Sequence, residues 1–321
     1  MTRLSGATPS GRAQLGNYLG AIRQWAREGA DDDLYFVSDM HAMTTAYNPQ
    51  RLRALSREML AVLLGAGIKP ERVFVQSDIA SQLTALTWVL ECTCTFGEVA
   101  RMIQFKEKSA GAKTVRLGLL TYPVLMAADI LLPGADEVPV GEDQAQHVEL
   151  ARALARRFNS TYGEAFVVPK AITPKVAARI RDLASPDRKM AKSARDEAGV
   201  VFVLDSPDMI RRKFQRAVTD TVNSVEYRPE EQPGVANLLE ILSACTGRSP
   251  QDVADGIDSY RVLKETTADA VIEELREVRG RVEDLLADPA ELDRIRATGA
   301  ERAAERGRHR LAAVNRLAGI G

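Results

Sequence analysis

Two stretches of the 321-residue sequence combine residue types that could hold a polyphosphate. The first runs from Thr8 to Gly20 and places a proline and three glycines where a first strand would lead into a first helix. Glycine lets the backbone approach a ligand closely, and the free N–H groups of a helix N-terminus attract anions. The stretch matches neither GxGxxG nor a Walker A loop, so a helix-initiating turn without a ligand is the alternative interpretation.

The second stretch is Lys189-Met190-Ala191-Lys192-Ser193, which follows Asp187-Arg188. Two lysines three positions apart on a loop bring two mobile ammonium groups close together. Such a pair could hold a triphosphate and stabilise the charge that develops on a leaving pyrophosphate. A solvated run of charges is the alternative interpretation.

A single carboxylate interrupts the apolar stretch between Leu119 and Leu132, namely Asp129. It is either a helix-end cap or a buried acceptor for a ligand's donor. Further along, residues 138–147 combine the end of a strand, a glycine turn and an acidic helix start. At the carboxyl end of a parallel sheet, such a turn could hold a nucleotide sugar or a substrate amine.

The elements that must position these residues alternate between short strands and helices. Apolar runs predict strands at Leu34–Val37, Val73–Val75 and Val138–Val140. Helical spacing of apolar residues predicts helices over about residues 16–27, 49–65, 82–93, 119–131 and 143–158. This alternation is typical of an α/β fold with a parallel sheet.

The second half of the chain has a different character. Residues 172–195 are basic and typical of a loop, and convincing strands are absent beyond Val200–Val203. Ser249-Pro250 and Asp288-Pro289 each combine an N-cap residue with proline, which predicts two helix starts. The last helix is expected to end near Leu317, and the boundary between the α/β part and the helical part is expected near residues 185–200.

Composition excludes several classes of protein. The 43 basic and 44 acidic residues give a net charge of −1, which argues against a nucleic-acid packaging protein but not against local basic surfaces. Three cysteines in a chain of this size do not form a disulfide scaffold, and Cys92-x-Cys94 is not a zinc spacing. Without an N-terminal apolar segment or an 18-residue apolar run, we expect a cytoplasmic protein with no membrane partner.

Taken together, the motifs resemble those of the class I aminoacyl-tRNA synthetases. Gln14-Leu15-Gly16-Asn17 looks like the HIGH motif of that class, and residues 189–193 look like its KMSKS motif. Further segments are similar to the tryptophanyl-tRNA synthetase family, in the expected order and over nearly the whole chain. These segments include residues 5–11, 16–21, 104–109, 126–131, 138–147, 174–180 and 217–220.

Some positions differ from the pattern of that family. Thr8 and Met40 stand where glutamine is common, Gln14 stands at the His or Thr position of the HIGH motif, and Ala191 replaces the first serine of the KMSKS motif. Alanine also occurs at that last position in the class, so we do not interpret it as inactivating. Thr8 and Met40 raise the hypothesis of an auxiliary or inhibitor-tolerant form.

The resemblance implies a Rossmann-like parallel-sheet catalytic domain with an all-helical C-terminal domain. The catalytic domain would span residues 1–184, with a dimer-interface insertion near 80–110, the KMSKS-type loop 185–198, and a helical domain at 199–321 that binds the tRNA anticodon. The implied enzyme is a tryptophan–tRNA ligase acting on ATP, L-tryptophan and tRNA(Trp), and it would be a homodimer. No protein nucleophile is needed, because positioning and charge stabilisation suffice for such transfers.

The resemblance also implies roles for individual residues. Lys189, Lys192 and Ser193 would hold the pyrophosphate, with Mg²⁺ bound through the ATP phosphates and not by protein ligands. Asp129 would accept the indole N–H, while Tyr122 and Gln144 would hold the α-amino group. The full set implied for ATP is Thr8, Pro9, Ser10, Gly16, Asn17, Gly141, Glu142, Asp143, Ile180, Lys189, Met190, Ala191, Lys192 and Ser193. The set implied for tryptophan is Asp129, Met126, Tyr122, Gln144, Val138, Val140 and His41.

Two other functions stay open at this point. A tyrosyl enzyme shares the class I scheme, although Asp129 in its Met-Ala-Ala-Asp context disfavours it. A paralogue that binds tryptophan or adenylate as a sensor is the second alternative, which Lys189, Lys192 and Ser193 argue against. Basic clusters at 101–116, 211–216 and 302–316 could contact RNA phosphates, and each of them alone could equally be a solvated helix face.

Overall fold

The computed structural model describes residues 1–111, 113–141, 144–172, 180–190 and 197–320. Three parallel strands form the centre of the fold in the order β1-β2-β3: β1 is Leu4–Ala7, β2 is Leu34–Val37 and β3 is Val73–Val75. Their register pairs Leu4 with Leu34 and Tyr35 with Val73. The two strands predicted at Leu34–Val37 and Val73–Val75 are confirmed.

A second parallel pair extends this sheet on the side of β1. It consists of β4, Glu137–Pro139, and β5, Lys170–Ile172. A parallel bridge between Arg3 and Glu137 joins β4 to the N-terminal end of β1. The strand order is therefore β5-β4-β1-β2-β3, in which the direction of winding reverses between β1 and β4. Ligands of doubly wound sheets bind at the carboxyl ends of the strands near such a reversal.

Helices surround the sheet in the first half of the chain. These are α1, Leu15–Asn17; α2, Arg23–Glu28; α3, Asp39–Ala42; α4, Pro49–Gly65; α5, Ala80–Thr93; α6, Phe96–Ala100; α7, Ile103–Ser109; α8, Leu117–Leu131; and α9, Ala145–Tyr162. The helix predicted at 16–27 is interrupted by a π-helical turn at Tyr18–Ile22. Asn48 caps α4 by accepting from the N–H of Arg51, as the Asn-Pro pair predicts.

The second half is helical among its described residues. It contains α10, Pro207–Gln215; α11, Pro233–Thr246; α12, Pro250–Ala254; α13, Tyr260–Ala287; and α14, Pro289–Ala318. The starts predicted at Ser249 and Asp288 are confirmed, because both side chains accept a hydrogen bond from the first turn of the helix that follows. The segment Val200–Val203 is not a strand, since Phe202 makes only an isolated antiparallel bridge with Gln14.

Two buried apolar clusters hold these elements together. The first combines α4 and the N-terminal helices with α10, α11 and α13, so the two halves of the chain share one core. The second lies around α5, α8 and α9 and includes Ala303 and Val314 of α14. Helix α14 therefore packs on the α/β half, where a Cβ atom at Gly299 would overlap the carbonyl oxygen of Val73. None of the helices that the structure describes is both long enough and apolar enough to cross a membrane.

Candidate active site

The carboxyl ends of β1, β2 and β3 carry the candidate site. After β1 comes the glycine-rich turn, after β2 come Ser38 and α3 with His41, and after β3 comes Gln76. Neighbouring ends are in contact, because the N–H of Ser38 donates to the carbonyl of Ala7 (3.1 Å). The Ser38 hydroxyl also lies 2.9 Å from that of Thr8. This contact places the predicted ATP residue Thr8 beside the strand that leads to the predicted tryptophan residue His41.

Gln14 joins the glycine-rich turn to the second candidate phosphate segment. Its side chain is 2% exposed, and its Oε1 caps α1 by accepting from the N–H groups of Gly16 and Asn17. Its Nε2 donates to the carbonyl oxygen of Met190 (2.9 Å). The amide oxygen of Gln14 thus contacts the glycine-rich turn, and its amide nitrogen contacts the segment that contains Met190.

Residues 180–190 pack beside the glycine-rich turn. The N–H of Met190 donates to the carbonyl of Ile180 (3.1 Å). The backbones of Arg181 and Lys189 form an isolated antiparallel β-bridge. A Cβ atom at Gly16 would stand 3.3 Å from Cβ of Ile180, so glycine lets these two segments approach closely. Met190 and Ile180 are each 1% exposed, whereas Lys189 is exposed.

Several predicted residues cannot be placed. Of the ATP set, Glu142, Asp143, Ala191, Lys192 and Ser193 lie outside the described residues. Among the placed members Pro9 is buried, Ser10 and Gly141 are exposed, and Asn17 is half-buried. The structure brings Gly16 together with Ile180 and Met190 through Gln14, whereas the pyrophosphate-holding role of Lys192 and Ser193 stays a prediction.

Asp129 lies at the C-terminal end of α8 with 4% of its surface exposed. It is not a helix-end cap, because it accepts from side chains of two other elements. Nε2 of His41 lies 2.7 Å from Oδ2, and Nε2 of Gln76 lies 2.8 Å from Oδ1 and 2.9 Å from Oδ2. Of the two interpretations, the buried acceptor is the one that the contacts support.

Burial raises the pKa of the Asp129 carboxyl above its usual value, because taking a charge out of water disfavours the ionised form. The hydrogen bonds from His41 and Gln76 act in the opposite direction and favour the carboxylate. A carboxylate with such donors can accept a further N–H from a ligand, which a protonated carboxyl does less well.

Tyr122 stands about two turns before Asp129 on the same helix. Its hydroxyl lies 2.8 Å from Nε2 of His147, a fully buried residue of α9. The rings of His41 and Tyr122 meet edge to face with centroids 6.1 Å apart. Burial raises the pKa of Tyr122 to about 12, so its hydroxyl keeps its proton at neutral pH.

Apolar side chains border the same region. Val138 is buried, and Met126 and Val140 are half-buried against the second core cluster. The N–H of Gln144 donates to the carbonyl of Gly141 (2.9 Å), shortly after β4. The structure therefore groups His41, Tyr122 and Asp129 by direct contact and places the rest of the tryptophan set on neighbouring elements.

Sequence reasoning gave no role to Gln76, Ser38 or His147. Gln76 and Ser38 could have been found, because each is a polar residue directly after an apolar strand, where parallel sheets place ligands. His147 lies within a segment that was singled out, but nothing in the sequence pairs it with Tyr122, 25 positions earlier.

Some basic side chains of the helical half form hydrogen bonds or ion pairs with other parts of the chain. Arg310 donates to the carbonyls of Leu131 and Leu132 at the end of α8 (3.3 and 2.9 Å). Arg306 pairs with Asp32 (2.8 Å), and Arg302 donates to the carbonyl of Asp31. These three arginines of α14 are thus held against the α/β half.

The chain is similar to known tRNA synthetases over most of its length. The family model of class I tRNA synthetases (W and Y) matches residues 1–278. The chain is 54% identical to tryptophan–tRNA ligase 1 of Streptomyces coelicolor over 312 residues, which are 94% of this chain and 93% of that protein.

Two solved structures are similar over their full length. The tryptophanyl-tRNA synthetase of Mycoplasma pneumoniae has a TM-score of 0.88 and 31% identity and covers 100% of this chain and 98% of its own. That of Campylobacter jejuni, complexed with ADP and tryptophan, has a TM-score of 0.86 and 30% identity and covers 100% of both chains. The resemblance seen in the motifs is confirmed, and this chain belongs to the class I tRNA synthetases of the tryptophan and tyrosine (W and Y) family.

Proposed function

We propose that this chain uses ATP to activate L-tryptophan as tryptophanyl-adenylate and then transfers the tryptophanyl group to tRNA(Trp), releasing pyrophosphate and AMP. The observation that carries the proposal is the buried Asp129 carboxylate, held by His41 and Gln76 as an acceptor for one further N–H. It lies at the sheet edge where Gln14 joins the two motifs of the ATP site. The relatives named above carry the same activity in their names.

In the first step a carboxylate oxygen of tryptophan attacks the α-phosphorus of ATP, and the bond to pyrophosphate breaks. The protein contributes positions and charges, which is the usual pattern for phosphoryl-type transfer. Lys189, Lys192 and Ser193 stabilise the departing pyrophosphate. Thr8, Pro9, Ser10, Gly16 and Asn17 contact the phosphates, Gly141, Glu142 and Asp143 line the ribose, and Ile180 touches the adenine.

Mg²⁺ would reach this site bound to the ATP phosphates. Within the described ranges, no group of three or more His, Cys, Asp or Glu side chains is arranged to hold a metal ion. A cation carried by the triphosphate would neutralise phosphate charge that the lysines leave uncompensated.

In the second step the terminal ribose hydroxyl of the tRNA attacks the activated carbonyl carbon, and AMP leaves. We assign the anticodon to the helical part, residues 199–321, and the chemistry to residues 1–184, with residues 185–198 as the KMSKS-type loop. Exposed basic residues of α10 support this division, although Arg211 also pairs with Asp269 (3.0 Å).

Tryptophan is selected by its indole N–H. This group can only donate, and phenylalanine would leave the buried acceptor unpaired. Sites that hydrogen-bond a substrate group in this way reject the analogue that lacks it by about 10⁴–10⁵. Met126, Val138 and Val140 pack the ring, and Tyr122 with Gln144 holds the α-amino group.

The central test is Asp129→Ala in tryptophan-dependent pyrophosphate exchange. We expect the KM for tryptophan to rise far more than the KM for ATP, because the variant loses the indole acceptor but no contact assigned to ATP. Exchange with tryptophan near the wild-type level would refute the assignment.

Two alternative functions have their own tests. A panel of amino acids in pyrophosphate exchange separates a tryptophanyl from a tyrosyl enzyme, since the second would turn over tyrosine. Aminoacylation of tRNA(Trp) separates an enzyme from a sensor, because a sensor would bind tryptophan or form the adenylate without charging the tRNA.

We further propose a cytoplasmic homodimer, in which the region near residues 80–110 forms the interface. Several large apolar side chains of α5–α8 are exposed to solvent. They include Trp88 (66% exposed), Phe96 (74%) and Ile103 (58%). A contiguous apolar patch formed by such side chains would mark an interaction surface. Light scattering should give twice the chain mass for the wild type and one chain mass for Trp88→Arg with Ile103→Glu, whereas a monomeric wild type would contradict the proposal.

A further inference from the structure

Gln76 is a fully buried glutamine at the end of β3 to which none of the roles above assigns a task. It opens the short helical turn Gln76–Ile79 directly after Val75. Its side chain reaches two elements that carry substrate-binding residues, namely α3 with His41 and α8 with Asp129.

The orientation of the Gln76 amide is forced by its partners. Its Oε1 faces the backbone N–H groups of Met40 (3.1 Å) and His41 (3.4 Å), which can only donate. The oxygen of the amide must therefore stand on that side. The NH₂ group then faces Asp129, where it lies 2.8 Å from Oδ1 and 2.9 Å from Oδ2.

These contacts leave the two carboxylate oxygens unequal. Oδ2 of Asp129 accepts from both Gln76 and His41, whereas Oδ1 accepts from Gln76 alone among the side chains that the structure describes. An ionised carboxylate has about four lone-pair positions, two on each oxygen. The position that remains for a ligand is therefore on Oδ1.

The terminal torsion of an aspartate is broad, so a carboxylate on a helix can swing unless something holds it. His41 contacts one oxygen and would let the group turn about that contact. Gln76 contacts both oxygens and fixes the plane. Because a hydrogen bond weakens steeply as its angle departs from linearity, this plane decides how well a rigid indole N–H can donate.

We propose that Gln76 is a positioning residue for amino-acid selection: it fixes the plane of the Asp129 carboxylate so that Oδ1 receives the indole N–H. The inference rests on the proposed function, because it requires Asp129 to be the indole acceptor. It adds that discrimination for the ring N–H depends on a residue that does not touch the substrate.

The test compares tryptophan with its benzothiophene analogue, in which sulfur replaces the ring N–H, in pyrophosphate exchange. The measured quantity is the ratio of kcat/KM for tryptophan to kcat/KM for the analogue. In Gln76→Met this ratio should fall by about tenfold or more, as expected when a hydrogen bond to a charged group is lost. The change should appear in the KM for tryptophan, while kcat/KM for the analogue stays within about twofold.

A second variant and a control accompany this measurement. Gln76→Asn keeps the amide but is one methylene too short to span α3 and α8, so it should lower the ratio even if Gln76→Met unfolds. Gln82→Met is the matched control, since Gln82 is a partly buried glutamine whose Nε2 donates to the carbonyl of Ala304 (3.0 Å), away from Asp129. It should leave the ratio unchanged.

The outcomes separate the two proposals. If Asp129→Ala leaves the ratio unchanged, Asp129 is not the indole acceptor, and the assignment of Asp129 and the inference about Gln76 both fail. If Asp129→Ala lowers the ratio but folded Gln76 variants do not, only the inference about Gln76 is overturned. An equal loss of kcat/KM for both amino acids in the Gln76 variants would also overturn it, because that result indicates general damage to the site.

Discussion

Replacing Gln14 by leucine should weaken the use of ATP more than the use of tryptophan. The side chain is buried, caps α1 through Oε1 and donates to the Met190 carbonyl through Nε2. Losing the cap costs about 1 kcal/mol. Leaving the Met190 carbonyl without this donor costs about 1–3 kcal/mol more.

Of this total of about 2–4 kcal/mol, the second part acts on the junction between the glycine-rich turn and residues 180–190. Since 1.4 kcal/mol is a factor of ten, the population with the two segments joined falls by about 5- to 150-fold. We therefore expect kcat/KM for ATP to fall by at least about fivefold and the KM for tryptophan to change by less than about threefold.

Pyrophosphate exchange, with ATP varied at saturating tryptophan and then the reverse, measures both quantities. Gln14→Ser is the matched variant, because serine is a good N-cap residue but is too short to reach Met190. It should keep most of the thermal stability and still lose ATP efficiency. If Gln14→Leu is destabilised while kcat/KM for ATP stays within about twofold of the wild type, the link does not serve the ATP site and the reasoning fails.

Three further predictions concern stability. Gly299→Ala should lower the free energy of unfolding in urea by about 1–3 kcal/mol, because its Cβ would overlap the carbonyl oxygen of Val73; an unchanged midpoint would contradict this close packing. The hydrogen bond from Arg157 lowers the pKa of Glu98 to about 2 from 4.5, so its stabilisation is present above pH 4.5 and is lost as the pH falls toward 2. The difference in unfolding free energy between wild type and Glu98→Gln should shrink over that interval, and a constant difference would speak against it. Arg310→Met should lower Tm by several degrees yet leave the KM for tRNA within about twofold, since its guanidinium holds the end of α8; a raised KM for tRNA at unchanged Tm would show an RNA contact instead.

The parts of the fold that were predictable are those in which local pattern and tertiary environment agree. Leu34–Val37 is a continuous apolar run and forms a strand buried at all four positions. Strand β5 was missed because Lys170–Ile172 is largely exposed and has no apolar pattern. The π-helical turn at Tyr18–Ile22 was missed because its apolar residues keep a helical spacing.

The site was predictable as a set of residues and not as a network. Asp129 stands out because it is one charge in an apolar helix, and the sequence could therefore indicate a buried acceptor. Its donors His41 and Gln76 lie 88 and 53 positions earlier. Pairings over such distances depend on how the strand ends meet, which spacing along one sequence does not contain.

The basic residues of α14 show the opposite case. Their density predicts a surface for RNA phosphates, but Arg302, Arg306 and Arg310 donate to groups of the α/β half instead. Arginine serves both purposes, because its five donors suit carbonyl groups as well as phosphates. Composition alone cannot separate these uses.

Helix α14 also covers one edge of the sheet, which would otherwise be open to other chains. Strand β3 is the outermost strand on its side of the described sheet, and α14 lies against it with Gly299 at the contact. An uncovered strand edge invites pairing with other chains. Helix α14 follows β3 by more than two hundred positions in the chain, so during synthesis the edge of β3 stays open until this helix has folded against it. Docking of α14 thus protects a strand made much earlier from pairing with other chains.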